Sequence, residues 1–177
     1  MKVVIEMLTK CVEYARFREV YVSEAFNRDV VAAVNLKERT VRERETLPDG
    51  KEKLRVYIVP RVDLPGVISK LVGDNMIAYE ELTIYDPATR RAEIKISSAG
   101  SDMVQVSASS YFTDEGDGIR THIELLVNVK IFGIGSMIER FVANETRKRY
   151  ETVERVLQQF IDAGHAGNAG KDVQASA

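Results

Sequence analysis

The strongest constraint on the fold is a strict alternation over residues 119–131. Ile119, Thr121, Ile123, Leu125, Val127, Val129 and Ile131 fall on one side, and Arg120, His122, Glu124, Asn128 and Lys130 on the other. Successive side chains of a strand point to opposite faces, so this segment buries one face and wets the other. An antiparallel sheet packed on one side gives that pattern, whereas a parallel sheet buried on both faces gives continuous apolar runs.

The same period of two recurs upstream. Residues 52–60 place Leu54, Val56 and Ile58 on one face, residues 90–98 place Ala92, Ile94, Ile96 and Ser98, and residues 103–113 place Val104, Val106, Ala108, Ser110 and Phe112. Residues 76–85 form a further strand that ends at Asp86-Pro87, and residues 2–8 form a short, apolar, β-branched first strand. Residues 36–46 alternate charged and uncharged groups and read as an edge strand. Pro48-Asp49-Gly50 turns the chain between that strand and the next.

Helical spacing takes over in three places. Residues 9–34 read as two helical segments: Thr9 caps the first, with Cys11, Val12, Ala15 and Phe17 apolar, and Ser23 starts the second, with Phe26, Val30, Val31 and Val34. Leu64, Val67, Ile68, Leu71 and Val72 mark a short helix inside the Pro- and Gly-rich stretch 60–75. Residues 134–162 form one long helix with Ile134, Ile138, Phe141, Val142, Val153, Val156, Leu157, Phe160 and Ile161 in its stripe. That stripe is interrupted in the middle by Glu145, Thr146, Arg149 and Tyr150, where a plain core helix would stay apolar.

The order predicts an α+β chain: a seven-stranded curved antiparallel sheet, two short helices after the first strand, and a long C-terminal helix across the concave face. One domain is expected over residues 1–163, with a disordered tail at 164–177 where small and polar residues bury too little to offset ordering. A space between helix and sheet is expected, enlarged by the small or hydroxylated inward residues Ala92, Ser98, Ala108, Ser110 and Thr121.

The residue inventory excludes several chemistries. Lys and Arg total 25 against 27 for Asp and Glu, a net charge of −2, so the basic excess of a nucleic-acid binder is missing. The single Cys11 supplies neither a disulfide nor a multi-cysteine metal site, and no cofactor or metal is expected. Gly116-x-Gly118 and Gly133-x-Gly135 lack the strand–loop–helix context of a dinucleotide site and read as a hairpin turn and a strand-to-helix bend. His122 sits on the wet phase of its strand and His165 in the tail. No apolar run is long enough for a signal peptide or a membrane span, and a cytoplasmic protein is expected.

Strand, helix pair, six strands and a long helix resemble the helix-grip arrangement of the START-like superfamily, over roughly residues 2–162. Locally, Ile131-Phe132-Gly133-Ile134-Gly135-Ser136-Met137-Ile138-Glu139 is similar to the strand-to-helix junction of a bacterial branch without an assigned function. Leu64-Pro65 through Leu71-Val72-Gly73 is similar to that branch's Pro…Gly segment. The superfamily includes lipid-transfer domains, polyketide cyclases and plant hormone-binding proteins, and the resemblance implies a hydrophobic small molecule or lipid as partner.

The phases select Val56, Ile58, Ile94, Val106, Ala108, Ile123, Leu125, Val142 and Val153 as the apolar wall of a binding site, and Glu145, Arg149 and Tyr150 as headgroup contacts. Glu145 and Arg149, four apart on a helix, have the spacing of an ion pair. Of the adjacent Glu80 and Glu81, one points inward. Leu64, Val67, Ile68 and Leu71 are the candidate gate of the site, or a fixed cap over it. Arg147-Lys148-Arg149 reads as a solvated face, with transient contact with a membrane surface as the further reading. Three functions stay open: a binder or carrier of an apolar ligand, a cyclase- or aromatase-type enzyme using carboxylates and tyrosines, and a protein-interaction domain with a filled core.

Overall fold

The computed structural model describes residues 1–11, 13–69, 77–98 and 103–164, with the backbone alone at Val67 and Ser69. The elements are β1 (Lys2–Lys10), α1 (Tyr14–Val22), α2 (Glu24–Ala33), β2 (Leu36–Thr46), β3 (Glu52–Pro60), α3 (Gly66–Ser69), β4 (Tyr79–Asp86), β5 (Arg91–Ser98), β6 (Val104–Glu115), β7 (Gly118–Val129) and α4 (Gly135–Asp162). The seven strands form one sheet in the order β1-β7-β6-β5-β4-β3-β2, and every neighbouring pair is antiparallel. The curved sheet holds α4 as a helix-grip fold does. The expected tail falls almost wholly at 165–177, outside the described residues.

Strand phases follow the alternation. Ile119, Thr121, Ile123, Leu125, Val127 and Val129 of β7 are buried, and His122 lies on the outer face. There its ring stacks on Tyr111 with centroids 4.3 Å apart, and Nδ1 lies 3.2 Å from Glu6 Oε1. Two boundaries differ from the sequence expectation. β1 runs on to Lys10, so Thr9 is a buried strand residue rather than a cap, and α1 begins at Tyr14 after an uncapped Glu13. The register extends because Leu8, Thr9 and Lys10 pair with Arg120, Ile119 and Gly118. Ser23 caps α2 as its residue type favours, accepting from the Phe26 N–H at 3.2 Å.

The long helix is held at its two ends. Ile138 and Ala143, with the flanking Phe141 and Val142, pack with Val3, Ile5, Met7, Leu125, Val127 and Val129 of β1 and β7. Val156, Leu157 and Ile161 pack instead with Phe17 and Val20 of α1, Phe26 of α2 and Phe112 of β6. Phe112 is the hub of the second cluster, with Phe17 edge-on at 5.3 Å and Tyr14 and Tyr21 each at 5.9 Å. Between the two clusters the middle turns of α4 carry Glu145, Thr146, Arg149 and Tyr150, which line open space, with Tyr150 also packed against the first cluster.

The β7–α4 junction sets the angle at which the helix returns. Gly133 has φ +80°, a region other residues occupy at a cost. At Gly135 a Cβ would sit 2.7 Å from the Val129 carbonyl oxygen, too close for any side chain. Gly135→Ala should therefore lower stability by about 1–3 kcal/mol, the usual cost of overpacking. Urea unfolding followed by circular dichroism checks this, and an unchanged midpoint would mean that the junction relaxes freely.

Candidate functional site

A cavity of about 870 Å³ opens between α4 and the concave face of the sheet. That size lies in the range of small-molecule sites. Its far wall is laid down by cross-strand rungs. One rung runs Leu54, Thr83, Ile94, Ala108 and Leu125 across β3 to β7. The next runs Val41, Val56, Glu81, Ile96, Val106 and Val127, of which Glu81, Ile96 and Val106 line the cavity, so that one carboxyl group stands in an otherwise aliphatic row. A third aligns Arg39, Ile58, Tyr79 and Ser98.

Ile58, Ile94, Val106, Ala108, Leu125, Val142, Glu145, Arg149, Tyr150 and Val153 all line this cavity. Val56 and Ile123 share the inward face but are fully buried outside the cavity wall, Ile123 within the core beneath α4. Leu64 and Ile68 line the cavity, and Ile68 is fully buried. Leu71 lies outside the described residues, and of Val67 only the backbone is described.

The expected Glu145–Arg149 pair is replaced by two other contacts. Glu145 pairs with Lys148 at 2.8 Å, and Arg149 turns inward to donate to the Tyr79 hydroxyl. Of the two adjacent glutamates, Glu81 points into the cavity, and Glu80 points out toward Arg55 at 3.7 Å. Arg39, Tyr21 and Tyr79 also line the cavity, and none of them stands out in the sequence. Two register shifts in β2, between Leu36 and Glu38 and between Val41 and Glu43, bring Leu36, Arg39, Val41 and Arg44 onto one face. Each bulge adds a residue and reverses the phase, so simple alternation cannot assign Arg39 inward.

The polar patch is sparsely paired. Glu81 has no ion pair within 4 Å among the described residues, and its side-chain hydrogen bond comes from Thr83 Oγ1 at 3.4 Å. Burial holds the Glu81 carboxyl above its ordinary value of 4.5, against the pull of Arg149, Arg39 and that hydrogen bond. Burial likewise raises the Tyr79, Tyr150 and Tyr21 phenols and lowers Arg39. Near neutral pH the tyrosines are protonated donors and both guanidiniums are charged.

At the end near α1 several charged groups are paired. Arg18 pairs with Glu52 at 2.5 Å and lies over the Tyr85 ring at 4.0 Å, while Lys53 pairs with Glu45 at 2.9 Å. The Tyr14 and Tyr85 hydroxyls bond to each other. No group of metal-ligating side chains occurs among the described residues, and no helix there is long and apolar enough to cross a membrane.

Residues 10–161 match the family described as protein of unknown function (DUF2505). The chain belongs to that family. No curated protein matches it. Among solved structures, it is similar to a START superfamily protein from Mycobacterium smegmatis, with TM-score 0.52 and 15% identity, covering 92% of this chain and 97% of that one. Norcoclaurine synthase from Thalictrum flavum, in complex with dopamine and hydroxybenzaldehyde, gives TM-score 0.58 at 13% identity over 90% of this chain and 87% of that one. The di-domain ARO/CYC BexL of the BE-7585A biosynthetic pathway gives 0.60 at 13% identity, over 92% of this chain and 48% of that one. At such identities the likeness establishes a shared START-like fold.

Glu81 carries a pH-dependence of known sign. Unfolded, its carboxyl releases a proton near pH 4.5, while the folded protein keeps that proton to higher pH. The unfolded state thus binds fewer protons across that window, and stability falls as pH rises through it to the folded value. Glu81→Gln should raise Tm at pH about 7, with the gain vanishing at about pH 4, below both values. Thermal melts across that range check this, and a variant less stable than wild type at neutral pH would show that the carboxylate is a needed partner there.

Proposed function

We propose that this protein binds an apolar small molecule or lipid between the sheet and α4, and releases it intact. The observation that carries the reading is the cavity of about 870 Å³, walled by aliphatic rungs and carrying one compact polar patch. Apolar walls with a few convergent polar groups are the usual composition of a small-molecule site: the walls supply affinity and the polar groups fix orientation. A domain evolved to present its surface to another protein has no use for this space, since an unfilled core forfeits packing energy. The relatives of the same fold support the reading by analogy, one of them having been solved with dopamine and hydroxybenzaldehyde.

Catalysis on the bound molecule is the second reading, and Glu81 is the observation that favours it. A carboxyl that burial makes a weaker acid, set among Tyr79, Tyr150 and two guanidiniums, has the form of a proton donor. His122 offers no alternative, since it lies on the outer face of the sheet.

Native mass spectrometry of purified protein tests the binding reading directly, by an adduct that denaturation releases as a small apolar molecule. A blocking substitution localises it. Ala108 lies opposite Ile94 and Leu125 with its side chain toward the cavity, while its neighbour Ser107 points outward. Ala108→Trp should weaken binding of an apolar fluorescent dye at least about ten-fold, a loss of roughly 1.4 kcal/mol, and Ser107→Trp should leave it unchanged. A folded Ala108→Trp protein that still binds the dye normally would place binding elsewhere.

A further inference from the structure

The charges that face the cavity do not cancel in its interior. Arg18 is matched by Glu52, Lys53 by Glu45, and Glu145 by Lys148. Five charged lining residues remain without an ion pair among the described residues: Glu19, the exposed Arg44, and Arg39 from β2, Glu81 from β4 and Arg149 from α4, of which the last three belong together, since both Arg39 and Arg149 act on the Glu81 carboxyl. The two guanidiniums stand on opposite walls, one on the sheet edge and one on the helix. Arg39 makes no ion pair or hydrogen bond with a described residue, and Arg149 gives its one side-chain hydrogen bond to Tyr79. A guanidinium offers five N–H groups, so most of this donor capacity is unused. Two cations against at most one anion leave a net positive charge inside apolar walls, which is costly unless an anion joins it.

We propose that this patch is a carboxylate site, and that the ligand is an amphiphile whose apolar body fills the cavity while a single carboxylate lies between Arg39 and Arg149. The proposal rests on the binding reading above and adds the chemical class of the ligand. A planar guanidinium fork matches a carboxylate by two parallel hydrogen bonds, a geometry that an alcohol or amine head does not use. The ligand carboxylate has both guanidiniums to itself only if Glu81 is neutral. The groups that face Glu81 are Arg39 from β2, Tyr79 and Thr83 from its own strand, Tyr21 from α1, and Arg149 and Tyr150 from α4. None of them adds a second negative charge at neutral pH. Ligand carboxylate and Glu81 carboxylate therefore compete for the same two cations, and binding takes up a proton wherever free Glu81 is ionised.

The experiment compares dodecanoate, 1-dodecanol and dodecyl phosphate as competitors of an apolar dye on the full chain, between pH 6 and 9 (about the range where the dodecanoate head stays ionised). Dodecanoate should bind at least about ten-fold more tightly than dodecanol. Arg39→Gln and, separately, Arg149→Gln should remove that advantage while dodecanol affinity stays within about two-fold, which also shows that each variant is folded. Dodecanoate affinity should weaken with rising pH in wild type, and Glu81→Gln should flatten the profile. Equal affinity for acid and alcohol, unchanged by either arginine substitution, would overturn the carboxylate assignment and leave the cavity reading standing. Tighter binding of dodecyl phosphate than of dodecanoate would overturn it in favour of a dianionic head. Failure of dye and of all three amphiphiles to bind would overturn both readings together.

Discussion

The structure depends on how one helix is fastened. α4 is 28 residues long, and its buried residues lie toward its two ends: Ile138 and Ala143 against β1 and β7, and Val156 to Ile161 against α1 and α2. Each anchorage is aliphatic or aromatic, and each is large enough to be close-packed. The consequence is that the middle of the helix bridges a gap it does not need to fill. A continuous apolar stripe would have drawn the sheet onto the helix and closed the space. The polar residues Glu145, Thr146 and Arg149 relieve that demand.

The sheet contributes the complementary half. The bulges in β2 turn Arg39 toward the cavity. The position of Glu81 follows from register: its rung partners Val56 and Ile96 are aliphatic, and no cation among the described residues comes within 4 Å of it. Several polar side chains on the outer face and at the α1 end are paired locally, as Lys53 with Glu43 and Arg18 with Glu52 illustrate, whereas Arg39, Glu81 and Arg149 form an incompletely paired patch on the cavity side. A fold under selection for stability alone would be expected to replace such a buried charged group with an apolar one, since the replacement is commonly neutral or stabilising.

Much of this was legible in the sequence because burial on one side of a strand writes a period of two. The alternation of β7 and the facing phases of β3, β5 and β6 gave the sheet and most of the aliphatic wall. The interrupted stripe of α4 marked the polar patch through Arg149 and Tyr150. What alternation could not reach has physical causes. In β4 the inward residues are Tyr79, Glu81, Thr83 and Tyr85, while Leu82 and Ile84 alternate with them on the other face, so hydrophobicity points to the wrong side. In β2 the bulges reverse the phase, and Arg39 read as one more surface charge. The i, i+4 spacing of Glu145 and Arg149 suggested a pair, but Lys148 is closer to water and to Glu145, leaving Arg149 free to reach Tyr79.

These departures from simple pattern are not scattered. Bulged β2, inverted β4 and the broken stripe of α4 come from three elements far apart in sequence, and their anomalous residues line one cavity. Each alone has a bland explanation: bulges favour sheet edges, an edge-proximal strand tolerates polar side chains, and long helices often carry a polar turn. Independent accidents would not be expected to converge. A sequence in which local preference and global fold agree everywhere else, and disagree at one place from three directions, has been shaped at that place by something other than folding. The common property of the three departures is that each puts a hydrogen-bonding or charged group where the packing alone asks for a methyl group. The ligand proposed above, with its polar end, would meet that demand.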